Sequence, residues 1–227
     1  MFNDEFKVTA ASSEHKQFAQ EICDEMFESA KARGTGIARR TPEYISQKMD
    51  EGKAVIAFHK DGRWAGFCYI ETWSHGDYVA NSGLIVSPEF RKTGLAKAIK
   101  KRVFDLSRQK YPKAKIFGLT TALAVMKINS DLGYEPVTYS ELTTDDAFWK
   151  GCESCVNFEI LKSKGRKNCM CTAMLWDPSE KEKELKEKQQ RKIEAKQRLE
   201  RIVKKQSLLK RLQRKLWKPI KKMVAFH

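Results

Sequence analysis

Apolar positions along the chain change period several times, and each change marks an element. Phe18, Ile22, Met26 and Phe27 recur at helical spacing behind the cap candidates Ser12 and Ser13, and the run stops at Gly34. A second helix is predicted from "TPEYISQKMDEG", with Thr41 as cap, Pro42 at the first helical position and Gly52 at the end. The period then falls to two. "AVIAFHKDGRWAGFCYIETW" reads as two strands around an Asp-Gly turn, and "DYVANSGLIV" as a third, so 54–86 is predicted to be an antiparallel meander. A helix follows over about 93–110, then a short strand in "AKIFGLTT" and a short helix in "ALAVMKINSDLGY" closed by Gly133. Strands in "YEPVTY" and "NCMCTAMLW" complete the series. Two helices, three strands, then helix, strand, helix and strands describe an α+β fold around one mixed, mostly antiparallel sheet flanked by helices.

Beyond Pro178 the pattern collapses into helix formers with few apolar residues, so 1–178 is read as one domain and 179–227 as a long basic helical tail. This boundary redistributes the charge. The net charge is +15, yet the tail holds 18 Lys and Arg against 6 Asp and Glu, while 1–178 holds 26 against 23. A nearly neutral domain argues against reading the whole protein as a nucleic-acid binder from its overall basicity. The first ten residues lack the apolar stretch of a secretion signal. No segment reaches the roughly 18–20 apolar residues that a membrane span needs. A cytoplasmic location is expected, with the six cysteines as thiols or ligands rather than disulfides.

Chemistry concentrates at "GLIVSPEFRKTGLAKAIKK", residues 83–101. An apolar strand and a proline lead into a turn with Arg91, Lys92 and Gly94 at a helix start, where cations are unfavourable unless an anion arrives. Gly94 allows close approach of the backbone, and the free amides of the turn can cradle a diphosphate. "RKTGLA", 91–96, fits Arg/Gln-x-x-Gly-x-Gly/Ala after a strand that ends a meander. In that context the chain resembles the GNAT superfamily of acyl-CoA N-acyltransferases over about 4–140. The resemblance implies that acetyl-CoA or succinyl-CoA is the acyl donor, its pyrophosphate held by amides of Arg91, Lys92, Thr93, Gly94, Leu95 and Ala96. It also implies that the backbone of Leu84, Ile85 and Val86 pairs with the pantetheine, beside a sheet splayed to admit the thioester.

Direct attack of a neutral amine on the thioester needs a base or a water relay, and an oxyanion donor. Glu71, near the end of the second meander strand, is the first base expected, and His75 in the next loop is the alternative. Many members of the superfamily protonate the leaving thiolate with a Tyr in the helix after the fifth strand. The matching stretch here is "INSDLGY", which puts Asn129 at that position. Either Asn129 hydrogen-bonds sulfur or cofactor, or another group or water supplies the proton. Tyr134 is expected to be core.

"KARGTGIARRT" lies between the first two helices, where the superfamily binds its acceptor. Arg33, Arg39 and Arg40 form a cationic fork suited to carboxylates, or else a solvated basic loop. Together with "AGFCYIETW", "SGLIV" and "FWKGCESC…CMCTAMLWDP", this loop resembles stand-alone bacterial enzymes that acylate the α-amine of glutamate in arginine biosynthesis. Acylation of protein lysine or another small amine would keep the CoA site and change the acceptor loop. A CoA-binding adaptor without turnover is the reading from a different class.

Within the Cys-rich segment 148–178, Cys152, Cys155, Cys169 and Cys171 could close a structural tetrathiolate zinc site, or be buried thiols or a redox-sensitive pair. Cys23 and Cys68 fall at apolar-periodic positions and are read as core. In the tail, Leu209, Leu212, Leu216, Ile220 and Met223 share one side of a helix with nine cations from Lys204 onward, joined by Trp217 and Phe226. That face suits an anionic membrane surface, RNA or an acidic partner, or stays solvated. A peripheral membrane location through the tail is the corresponding expectation.

Overall fold

A computed structural model describes residues 4–34 and 39–224, with side chains followed to Leu212. The chain divides into two compact units, Met1–Pro178 and Ser179–His227. In the first, the seven-stranded sheet has β1 (Phe6–Ala10), β2 (Ala54–His59), β3 (Trp64–Trp73), β4 (Tyr78–Val86), β5 (Lys115–Thr120), β6 (Glu135–Val137) and β7 (Thr172–Trp176). Its spatial order is β1-β2-β3-β4-β5-β7-β6. The β4–β5 pair is parallel and the others are antiparallel, so the sheet is mixed and mostly antiparallel, as expected.

Helix α2 (Pro42–Asp50) forms as the pattern predicts, while the helix expected behind Ser12 and Ser13 opens as a 3-10 segment (Ser13–Phe18) and becomes α1 (Ala19–Arg33) only from Ala19. Thr41 caps α2, its side chain accepting from Tyr44 N, with Pro42 at the first position. Helix α3 (Leu95–Lys110) follows β4, and α4 (Leu123–Asp131) follows β5. Alternation along β3 places Phe67 and Tyr69 in a core with Ile22, Met26, Ile45 and Met49 of α1 and α2. Cys68 and Ile70 face the other way, against Ile99 and Val103 of α3. Cys68 is thus core, as is Cys23. Phe27 is a correction to the predicted face: it is exposed, with the Arg39 guanidinium 5.0 Å from its ring centroid.

Three features were not foreseen. The alternating Phe6, Val8 and Ala10 make β1, which pairs with β2. Two short helices, α5 (Asp146–Lys150) and α6 (Phe158–Ser163), precede β7 and pack Trp149 and Leu161 beside Phe117 and Tyr139. Strand β7 enters between β5 and β6, so β6 is paired through β7 alone.

One irregularity positions the site. Phe67 pairs with Ile85, but Tyr69 pairs with Ser82, so β4 bulges at Gly83 and Leu84. Gly83 has φ +63°, and a Cβ there would lie 2.3 Å from Tyr69 Cε1. Only glycine satisfies both the backbone and the ring.

The second unit carries most of α7 (Pro178–Val224). Near its start it is laced by Lys183–Glu180 and Lys181–Glu184 ion pairs. Leu209 and Leu212 are exposed, while the side chains of Leu216, Trp217, Ile220, Met223 and Phe226 lie outside the described residues. No helix among the described residues is long and apolar enough to cross a membrane.

Candidate active site

Strands β4 and β5 hold their parallel register only where Tyr78–Ala80 meet Lys115–Phe117. From Gly118 onward β5 is paired with β7, while β4 keeps β3 alone. The strands part, and a cleft of about 260 Å³ opens between Asn81–Leu84 on one side and Gly118–Ala122 on the other. Of the three residues expected to pair with pantetheine, Leu84 borders this cleft. Ile85 and Val86 turn their side chains into the cores, and the Val86 carbonyl accepts from Arg91 Nε at 3.2 Å.

The turn ahead of α3 leaves its backbone amides open. Lys92 (φ 65°) and Gly94 (φ 88°) both adopt left-handed backbone. Thr93 Oγ1 donates to Phe90 O and accepts from Leu95 N, which fixes the turn. Among the described residues the amides of Lys92, Thr93 and Gly94 have no hydrogen-bond partner, and they adjoin the open first turn of α3. Arg91 departs from the expected role of free cation. Its guanidinium bonds Glu25 Oε1 at 2.6 Å and Ser29 Oγ at 2.7 Å, latching the turn to α1. At Gly94 a Cβ would meet nothing within 4 Å, so its requirement is conformational. Gly94→Ala is expected to cost about 1–2 kcal/mol in the left-handed region. CoA affinity should then fall roughly tenfold in calorimetry with little loss of fold.

Glu71 and Arg40 meet at the opposite end of the cleft. Glu71 is buried, and its Oε1 accepts from Arg40 Nη2 at 3.0 Å and from Tyr44 OH at 2.5 Å. Arg40 Nε also donates to Tyr69 OH at 2.9 Å. Burial opposes the Arg40 charge, but Tyr69 and Glu71 outweigh it and hold the guanidinium above its usual range. Burial, reinforced by the Glu71 charge, pushes the Tyr44 phenol up, so it stays a donor. Both bonds to Glu71 end on Oε1, so any base role falls to Oε2. Arg33 also lines the cleft; burial and the nearby Arg91 lower its pKa. Arg39 lies over Phe27 and is not among the lining residues, and Thr35–Ala38 of the same loop lie outside the described residues. His75 is exposed and away from the cleft, which removes it as the alternative base. The residue missed from sequence is Trp73: it lines the cleft, and its buried indole N–H has no partner among the described residues. Its place at the end of β3, two residues after Glu71, was the available signal.

At the third side lie Asn129 and Lys100. Asn129 is buried and lines the cleft, with Nδ2 3.6 Å from Met174 Sδ and Oδ1 unpartnered. Tyr134 is core, its hydroxyl donating to Asn81 Oδ1 at 3.0 Å.

The structure lends the possible structural zinc no support. Among the described residues no group of three or more His, Cys, Asp or Glu is arranged to hold a metal ion, and all four thiols are free. Cys155 Sγ accepts from Asn157 N at 3.4 Å and Cys169 Sγ donates to Asn157 O at 3.8 Å, and the four thiols stay near enough to one another for their charges to interact. Burial and neighbouring sulfurs push the thiols of Cys152 up to about 11 and Cys171 up to about 12. Cys152 and Cys171 border the cleft.

Residues 19–126 match the family model described as Acetyltransferase (GNAT) family. Residues 19–126, just under half of the chain, are thus similar to that family. Among solved structures it is similar to N-acetylglutamate synthase from Neisseria gonorrhoeae, complexed with coenzyme A and N-acetyl-glutamate (TM-score 0.55, 18% identity, 77% of this chain covered). The chain spans only 35% of that synthase's length. A Mycobacterium tuberculosis protein in complex with CoA is similar over 75% of this chain and 98% of its own (TM-score 0.53, 16% identity). The phosphinothricin acetyltransferase of Sinorhizobium meliloti, in complex with AcCoA, is similar over 76% and 88% (TM-score 0.51, 13% identity). At such identities the likeness is one of fold. No curated protein matches the sequence. The domain presents unpartnered amides at a helix start, and an open strand gap ending on an unpartnered amide oxygen.

Proposed function

We propose that the GNAT domain moves an acetyl or succinyl group from acyl-CoA to the α-amine of a carboxylate-bearing amino acid, with glutamate, as in arginine biosynthesis, the first choice. The observation that carries this reading is the chemistry of the cleft wall facing β4 and β5. Arg33, Arg40 and the unpartnered Trp73 indole N–H supply donors suited to a carboxylate, beside Glu71, the one carboxylate among them. Glu71 serves as the base through Oε2, directly or through water, for an amine held by that wall. The resemblance to a synthase solved with N-acetyl-glutamate supports the choice of acceptor.

Full-length protein, acetyl-CoA or succinyl-CoA and a panel of amino acids and lysine peptides provide the test, with free thiol release as the signal. Turnover with glutamate above the other amines is expected. Turnover with lysine peptides but not with amino acids would reject the acceptor, and CoA binding without thiol release from any amine would favour the adaptor.

A further inference from the structure

Lys100 sits at the closed side of the cleft and is 2% exposed. In sequence it looks like one more solvated cation of "LAKAIKKR", yet it follows Ile99 on the buried face of α3. Nζ donates to the Asn81 carbonyl of β4 at 3.3 Å, just where β4 parts from β5. The titratable groups that face it are the Cys68 thiol of β3 and the Tyr134 phenol beyond α4, whose ring centroid is 5.8 Å away. Among the described residues no carboxylate pairs with it, an arrangement that a structural lysine avoids.

The surroundings say what it faces. A Cβ at Gly118 would lie 3.9 Å from Lys100 Nζ and 3.7 Å from Asn129 Nδ2, so both side chains reach the space left by the missing side chain. Asn129 brings an unpartnered Oδ1 to the same wall. The chain therefore aims a buried cation and a lone acceptor into the gap between the splayed strands.

We propose that Lys100 is the proton donor of the acyl transfer, giving a proton from Nζ to the departing sulfur, with Asn129 Oδ1 accepting from the thiol that results. This rests on the acyl-CoA reading above. The acceptor nitrogen bonds to the acyl carbon, and the carbon–sulfur bond breaks with its electron pair going to sulfur. Lys100 protonates that sulfur, Glu71 takes the proton shed as the amine becomes an amide, and exchange with solvent resets both groups, so nothing else is consumed. Burial lowers the Lys100 pKa, against a smaller opposing effect of Cys68, which makes the proton easier to give. Asn129, where a tyrosine acid was expected, then needs no proton of its own.

Wild type, Lys100→Met and Lys100→Gln, each full length, decide it. With coenzyme A alone, calorimetry should give similar affinities, and these confirm the fold of each variant. The thiolate absorbance of the bound CoA should titrate about one pH unit higher in both variants, because the nearby cation is gone. With acetyl-CoA and L-glutamate, kcat should fall roughly 100-fold with KM values little changed, the size of a lost general acid. A Gln variant with wild-type kcat and an unshifted thiol would make Lys100 a prop for Asn81 and overturn the proposal. An unshifted thiol in both variants would overturn it whatever amine is used. Wild type that fails to bind coenzyme A would instead sink the acyl-CoA reading, and the role of Lys100 with it.

Discussion

Arg40→Ala is expected to unfold the protein at markedly lower denaturant and to abolish acceptor saturation at ordinary concentrations. Arg40 is the cation paired with Glu71, whose side chain is 7% exposed. Removing the guanidinium leaves Tyr44 alone on a buried carboxylate, and breaking one partner from such a pair costs about 3–5 kcal/mol. Tyr69 loses its partner as well. Urea denaturation should show the whole of this loss, and Arg40→Ala with Glu71→Gln should recover part of it, since the neutral amide no longer needs a counter-charge. The acceptor KM should rise roughly 100-fold if Arg40 also holds a substrate carboxylate, the scale of about 3 kcal/mol for one charged contact. The double variant should regain stability without regaining that affinity. Recovery of both together would show that Arg40 acts only through Glu71.

Gly83→Ala is the second large effect, and it has two separable causes. The backbone sits at φ +63°, where an L-residue is strained by about 1–2 kcal/mol. The added methyl would also overlap Tyr69 Cε1 at 2.3 Å, with Met26 Cε at 2.9 Å. Tyr69 is 1% exposed and tied to Arg40, so it cannot swing away without breaking the Glu71 network. Overpacking of this kind costs about 1–3 kcal/mol, so a total near 3–4 kcal/mol is expected from denaturation. Tyr69→Leu, destabilising alone, should be less so in the Gly83→Ala background, because the shorter side chain removes the overlap. Simple additivity of the two would mean that the bulge, not the ring, dominates.

Both effects turn on contacts that no local pattern encodes. The helices, the meander and the cradle turn were legible because capping, period and the glycine at a helix start act within a few residues of one another. So Thr41–Pro42 and Asp61–Gly62 read correctly as local signals, as does Gly94 at the start of α3. The bulge at Gly83 was hidden inside a strand that reads as regular, since its cause is a ring on the neighbouring strand. Strand β1 was missed because it is short and begins close to an acidic start, and α5 and α6 because their burial depends on β7 arriving from far along the chain. Arg91 and Arg40 stand out in the sequence as candidate site cations, but their partners Glu25 and Glu71 are 66 and 31 residues away. Lys100 shows the limit most plainly. Its burial follows from the face of α3 that packs on the sheet, where Nζ meets the Asn81 carbonyl of β4, and its neighbours in sequence, Lys97, Lys101 and Arg102, suggest the opposite.

The late insertion of β7 has a consequence for synthesis. As the chain leaves the ribosome, β1 to β5 can pair in order, but β6 emerges with no strand to join until Trp176 follows some forty residues later. During that interval β5 presents an open edge, the kind of surface on which nascent chains pair wrongly with one another.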